Sequence, residues 1–243
     1  MRIALIINPV NLPANHPSYL YYAQPITFES LKIAKNNDID IQLYTTQYEE
    51  DHDIIPDYFI KLPNLTKSIH DYYDFKNKTK KLPVLRDILK ILYDNTDAEY
   101  LIYSNADIAV KPYFYQYIKE QISLGYDAFC IHRCNINKYN DDKQLCKDDL
   151  EIMYKMKGKH TFGHDCFVFH RSLTNKLSLS NVFIGYPPVG TVMKNQLKKH
   201  AKKFKEVHSR EELTFHLGED QSWKNKNEYH IMNKQIAGKL QWG

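Results

Sequence analysis

The chain has 243 residues, enough for one large α/β domain or two small ones with a sizeable buried core. With 43% hydrophobic residues, 26% charged residues and a net charge of +4, it has the balance of a soluble globular protein and lacks the strongly basic character of a nucleic-acid binder. No apolar run approaches the roughly 20 residues needed to cross a bilayer, and the opening MRIALIINPV is too short in apolar residues for a signal peptide.

The four cysteines, Cys130, Cys134, Cys146 and Cys166, do not have the spacing of a zinc site. Cys130 and Cys166 lie in apolar runs and read as buried free thiols, which makes the cytoplasm the expected compartment. The nineteen tyrosines accompany abundant Lys, Asn and Ile, and so reflect compositional bias more than ring-stacking surfaces.

In chain order, Arg2–Ile7 reads as a buried strand stopped by Asn8-Pro9, and 10–26 as an irregular proline-bearing segment. Helical spacing over Phe28–Lys35, with Thr27 as N-cap, is followed by an alternating strand over Ile39–Thr45. The polar stretch 46–81 has no assignable period. Pro83 opens a helix to Tyr93 whose apolar face carries Val84, Leu85, Ile88, Leu89 and Leu92. Tyr100–Tyr103 is a strand, Pro112–Leu124 a helix and Tyr126–His132 a strand; 135–149 is a polar loop or flap. A strand over Asp165–His170, helices over Arg171–Leu179 and Pro187–Phe204, short strands over Glu206–His208 and Thr214–Leu217, and a helix in the last 20 or so residues complete the prediction. Strands alternating with helices over the first 130 residues predict an α/β fold with a mostly parallel sheet flanked by helices, whose ligands bind beyond the carboxyl ends of the strands. Asn8, Thr45, Asn105 and Asp107 all fall at such ends.

Several motifs can carry chemistry there. Asn105-Ala106-Asp107 follows an apolar strand; it is either an Asx-type turn or a site where a divalent cation meets the phosphates of a nucleotide. Gly163-His164-Asp165 precedes the apolar CFVF, so Asp165 is either a strand-entry residue or a general base or sugar contact. In HLGEDQSW, His216 can ligate a metal, Gly218 permits close backbone approach and Trp223 can wall a pocket; alternatively Glu219-Asp220 simply begin the final helix. Asp87, beside Arg86, lies near the apolar face of its helix and either pairs with Lys90 or points into a cleft to take sugar hydroxyls. The basic stretch KNQLKKHAKKFK, 194–205, reads as a solvated helix face, with peripheral membrane contact as the alternative. The absence of GxxxxGK[ST], of GxGxxG after the first strand and of GxSxG argues against P-loop NTPases, dinucleotide oxidoreductases and α/β-hydrolases.

Taken together, TDAEYLIYSNADIAVKPYFY, GHDCFVFHRSL and HLGEDQSW resemble the GT-A fold glycosyltransferases, whose Asp-x-Asp motif binds a metal and the diphosphate of a nucleotide-sugar. The resemblance covers most of the chain, with 46–81 and 135–160 poorly matched. Asn105 replaces the first Asp of that motif, and HLGEDQSW differs by a residue in spacing from the HxxGxxKPW element of glycogenin-like retaining enzymes and lacks its Lys before Trp223. The resemblance implies a single GT-A-like domain over 1–243, with a nucleotide-binding half (1–132) and an acceptor-binding half (133–243). It implies a cytoplasmic, Mn²⁺- or Mg²⁺-dependent enzyme that uses a UDP- or GDP-linked sugar and a glycan or other hydroxyl acceptor. Asp107 and His216 would hold the metal. Asn105 would hold metal or ribose, Arg86 and Asp87 the donor sugar, and Asn8 and Thr45 the base pocket; Gly218 and Trp223 would face the nucleotide. Asp165 or Asp220 would be the acceptor base of an inverting reaction. A nucleotidylyltransferase ranks second, since NPVNLPANHPS lacks the Gly-rich basic loop of that class, and a non-catalytic nucleotide- or sugar-binding module is the third reading.

Overall fold

The computed structural model of the chain describes residues 1–14, 16, 19–140, 142–218 and 227–240. β1 (Ile3–Ile7) leads to α1 (Leu20–Lys35), β2 (Ile41–Thr45) and the short β3 (Ile60–Lys61); α2 (Leu85–Asn95), β4 (Tyr100–Ser104), β5 (Ile108–Val110) and α3 (Phe114–Ser123) follow. β6 (Ala128–Ile136), a hairpin of β7 (Tyr139–Asn140) and β8 (Lys143–Gln144), α4 (Leu150–Lys155) and β9 (Lys159–His170) lead to α5 (Val189–His200), β10 (Phe204–Val207), β11 (Thr214–Leu217) and α6 (Glu228–Leu240).

Several boundaries differ from the prediction, each for a physical reason. α1 starts at Leu20 and runs through Pro25. Burial of Ala23, Gln24 and Ile26, and a pair of hydrogen bonds between Gln24 and the backbone of Val10, outweigh the one helical bond proline forfeits. Thr27 therefore lies inside the helix and caps nothing. β9 begins at Lys159 rather than Asp165, because backbone pairing with β6 carries a polar stretch into the sheet. β6 in turn continues to Ile136, and the expected loop 135–149 holds its end and the β7–β8 hairpin. The segment Arg171–Leu179 makes a 3-10 turn over Arg171–Lys176 only. α5 stops at His200, so Phe204 enters β10 instead of extending a helical stripe.

Nine strands form the main sheet, in the order β3-β2-β1-β4-β9-β6-β11-β5, with β10 also on β6. β3, β2, β1 and β4 are mutually parallel; β9 runs antiparallel between β4 and β6, which restores β6, β10 and β11 to the direction of β4. β5 closes the far edge antiparallel to β11. Side chains alternate between the two faces. Ala4, Ile6, Leu101, Phe167 and Phe169 pack under α2, α5 and α6, while Ile3, Leu5, Ile7, Ile102 and Val168 pack under α1 and α3. α5 lies close on β9: a Cβ on Gly190 would collide with the His164 carbonyl oxygen, so only glycine fits there. No helix among the described residues is long and apolar enough to cross a membrane.

This topology gathers one set of polar ends. Asn8 follows β1, Thr45 ends β2, Asn105 and Asp107 follow β4, and His216-Leu217-Gly218 end β11, all on the carboxyl edge of the parallel strands. β9 runs the other way, so the residues before Cys166, its partner of Ser104, reach the same edge.

Candidate active site

The β4–β9 ladder continues one rung past β4: the Asn105 amide donates to the Asp165 carbonyl at 3.0 Å. The chain then turns sharply, the Ile108 amide donating to the Asn105 carbonyl at 3.2 Å, and Asp107 sits in that turn. β5 begins at once and pairs with β11 so that Ile108 faces His216. Asp107 and His216, 109 residues apart, are thus brought side by side, with Oδ2 3.2 Å from Nε2.

The proton arrangement of this pair is informative. His216 Nδ1 lies 2.9 Å from the Gly218 carbonyl oxygen, which only accepts, so Nδ1 carries a hydrogen. Gly218 holds φ +75°, the left-handed region that glycine enters freely, and this turns its carbonyl back to the ring. The neutral ring would then present a lone pair at Nε2 to a carboxylate oxygen that is also an acceptor. Two acceptor atoms at 3.2 Å need a proton or a cation between them. Burial opposes both charged forms, but the hydrogen bond and mutual attraction prevail, holding Asp107 below and His216 above their ordinary values. With a divalent ion the same two atoms offer one oxygen and one nitrogen ligand at the spacing of adjacent ligands, and an Nδ1–H bonded to a carbonyl is the usual outer support of a metal-bound imidazole. One carboxylate oxygen and one imidazole nitrogen fit the implied divalent ion.

A second string of bonds runs from Asn105. Its Oδ1 accepts from the Tyr103 hydroxyl at 3.0 Å, and its Nδ2 donates to Asp165 Oδ1 at 2.9 Å. The other Asp165 oxygen accepts a short hydrogen bond from Arg133 Nη1, and Arg133 Nε donates to Asn135 Oδ1 at 3.1 Å. Burial, together with the negative charge of Asp165 and Asp107, drives the Tyr103 hydroxyl well above its ordinary value, so it stays a donor. Arg133 and Tyr103 were not singled out from the sequence. Nothing local marks Arg133, which lies between His132 and Cys134 in β6 and meets Asp165 only through the β6–β9 pairing.

The other expected residues among those described make contacts of their own, and no hydrogen bond among the described residues joins them to Asp107, His216 or Asp165. Asn8 Nδ2 donates to the Thr46 carbonyl at 2.6 Å, clasping the ends of β1 and β2. Thr45 is fully buried, and its hydroxyl has no hydrogen-bond partner among the described residues. Arg86 and Asp87 engage Tyr72: the Tyr72 hydroxyl donates to Asp87 Oδ2 at 3.0 Å, and the Arg86 guanidinium lies 5.1 Å from the ring centre. They line a shallow cleft with Tyr93, Asn175 and Leu179. Lys90 pairs with Asp94 instead of Asp87. Asp220 and Trp223 lie outside the described residues. In the basic stretch, Lys194 reaches Glu206 at 3.5 Å, Lys203 donates to the Leu124 carbonyl and Lys205 to Gln121, so the lysines do not all project from one helical face.

A mostly parallel sheet with one antiparallel strand inserted between β4 and β6, and a polar centre at the end of β4, is a GT-A-like fold. No family model and no curated protein matches the sequence. Among solved structures, TarS 1–349 of S. aureus in complex with UDP-GlcNAc aligns over 99% of this chain and 66% of its own, with TM-score 0.51 and 8% identity. Glucosyl-3-phosphoglycerate synthase of Mycobacterium tuberculosis, in complex with Mn²⁺, UDP and phosphoglyceric acid, aligns over 98% of this chain and 77% of its own, with TM-score 0.51 and 10% identity. The chain spans less than two thirds of the TarS chains it matches, 60% and 66% for two structures of TarS 1–349.

Proposed function

We propose that the chain is a metal-dependent glycosyltransferase that moves a sugar from a nucleotide-diphosphate sugar, UDP- or GDP-linked, to a hydroxyl acceptor such as a glycan. The observation that carries this reading is the Asp107–His216 pair, a carboxylate oxygen and an imidazole nitrogen 3.2 Å apart at the carboxyl end of β4, where a cation can replace the shared proton. The two fold neighbours, solved with UDP-GlcNAc and with Mn²⁺ and UDP, favour a nucleotide-sugar over other ligands of such an edge.

In this reading Asp107 and His216 hold Mn²⁺ or Mg²⁺, which when bound neutralises the departing diphosphate. Asn8, at the end of β1, lines the base side with the fully buried Thr45 of β2 behind it, and Gly218 lets the backbone approach the phosphates. Arg86 and Asp87, with Trp223, complete the donor side. Asn105 positions Asp165. Asp165 accepts one hydrogen bond at each oxygen, from Asn105 and Arg133, which leaves lone pairs to take the proton of an acceptor hydroxyl; Asp220 is the other carboxylate assigned to that step. The chain works as one unit, 1–132 supplying the nucleotide half and 133–243 the acceptor half, in the cytoplasm, with 194–205 as the segment for any peripheral membrane contact.

Titration calorimetry with UDP and GDP, with and without Mn²⁺, tests the proposal. Binding of one nucleotide that requires the metal and disappears in Asp107→Ala is expected. Failure of both nucleotides to bind would overturn it, and metal-dependent binding with no donor-sugar hydrolysis or transfer would leave a binding module.

A further inference from the structure

Three ligating side chains meet where β6 changes partners. β10 pairs with Ala128–Ile131 of β6 and β11 with Cys134–Ile136, and the register of β6 against β9 slips on both sides of His132. The slip sets His132 beside His164 of β9, their ring centres 4.9 Å apart. Glu206 of β10 reaches the same point, Oε2 standing 3.3 Å from His132 Nε2. One ligating atom from each of His132, His164 and Glu206 falls within 4.8 Å of the others.

His132 is 2% exposed, and Nε2, the nitrogen that faces Glu206, is the atom it would offer to an ion.

We propose that His132, His164 and Glu206 form a second metal site, separate from Asp107 and His216, that takes a borderline divalent ion such as Zn²⁺. Two imidazole nitrogens and one carboxylate oxygen suit zinc, and three protein ligands leave a fourth position open. Zinc bonds of about 2.0–2.2 Å place tetrahedral ligand atoms about 3.4 Å apart. The His132–Glu206 distance of 3.3 Å already meets this, and His164, within 4.8 Å of both, would turn inward to complete the set. Lys194 Nζ, 3.5 Å from Glu206 Oε2, competes for the carboxylate and lowers the affinity of the site. His164 immediately precedes Asp165, so the bound ion would pin the bulged strand that presents Asp165 to the carboxyl edge.

The untagged full chain, stripped with a chelator, is titrated with Co²⁺ while the visible absorption of tetrahedral cobalt is followed, and Zn²⁺ affinity is read by competition. A saturable tetrahedral band is expected in the wild type. His164→Gln and Glu206→Gln should each weaken it by about 10-fold or more. Lys194→Met should strengthen it several-fold, and Asp107→Ala should leave it unchanged, with circular dichroism confirming that each variant is folded. No tetrahedral band in the wild type, a band indifferent to both His164→Gln and Glu206→Gln, or one lost in a folded Asp107→Ala would each overturn the assignment.

Discussion

At the scale of single residues, the centre is organised by what each atom can donate or accept. Asn105 is the instructive case, since the resemblance leads one to expect a carboxylate there. Its amide must donate, because Asp165 Oδ1 stands 2.9 Å from Nδ2, while its carbonyl receives the Tyr103 hydroxyl. An aspartate at 105 would set two carboxylates against each other and force one to take up a proton. Asn105→Asp is therefore expected to lower the free energy of unfolding at neutral pH by about 1–3 kcal/mol, measured by urea denaturation. A variant as stable as the wild type would show that the Asn105–Asp165 bond contributes nothing. The strand-terminal positions of Asn105, Asp107 and His216 were legible in the sequence because polar side chains interrupt apolar runs there. Arg133 was not, since its partner Asp165 lies 32 residues further on and only the β6–β9 pairing joins them.

At the scale of elements, tertiary contacts decided what local pattern left open. Pro25 concealed the first turns of α1, and the polar residues of 159–164 concealed half of β9; in each case burial or backbone pairing with a distant segment overrode local preference. One ion pair shows how elements are clipped together. Asp38, in the turn after α1, accepts a short hydrogen bond from Lys119 of α3, with both side chains 32% exposed. That bond, helped by the Asp40 amide and set against partial burial, holds the Asp38 carboxyl below its ordinary value of 3.8. A carboxyl depressed in the folded state contributes stability that is fully present above 3.8 and is lost as pH falls through the lower folded value. Partly exposed as it is, the pair is worth about 0.3–1 kcal/mol. Asp38→Asn should cost that much in urea denaturation at pH 7, and the gap from wild type should close as the series is carried into acid. A gap that stays constant down to the acid limit of folding would mean that the charge on Asp38 is not what matters.

At the scale of the whole molecule, alternation of strands and helices made the parallel half of the sheet legible, but not its order. Nothing local tells β9 to run antiparallel between β4 and β6, yet that insertion brings Asp165 to Asn105 and His164 to His132. The two halves are also joined away from the sheet. Tyr229 of α6 stacks on Phe75 with ring centres 4.7 Å apart, and Glu228 accepts from the amides of Lys76 and Asn77 at 2.9 and 2.7 Å. The polar segment before α2, which showed no periodicity, thus takes its conformation from the far end of the chain, where its amides find acceptors that no neighbouring residue supplies. Glu228→Ala removes both acceptors and leaves the aromatic stack in place. Amide hydrogen exchange at Lys76 and Asn77 should then accelerate by about 10-fold or more while the strands of the central sheet keep their protection. Exchange at Lys76 and Asn77 that is unchanged would show that the aromatic stack alone orders the segment; acceleration throughout the sheet would make α6 part of the cooperative core instead of a latch upon it.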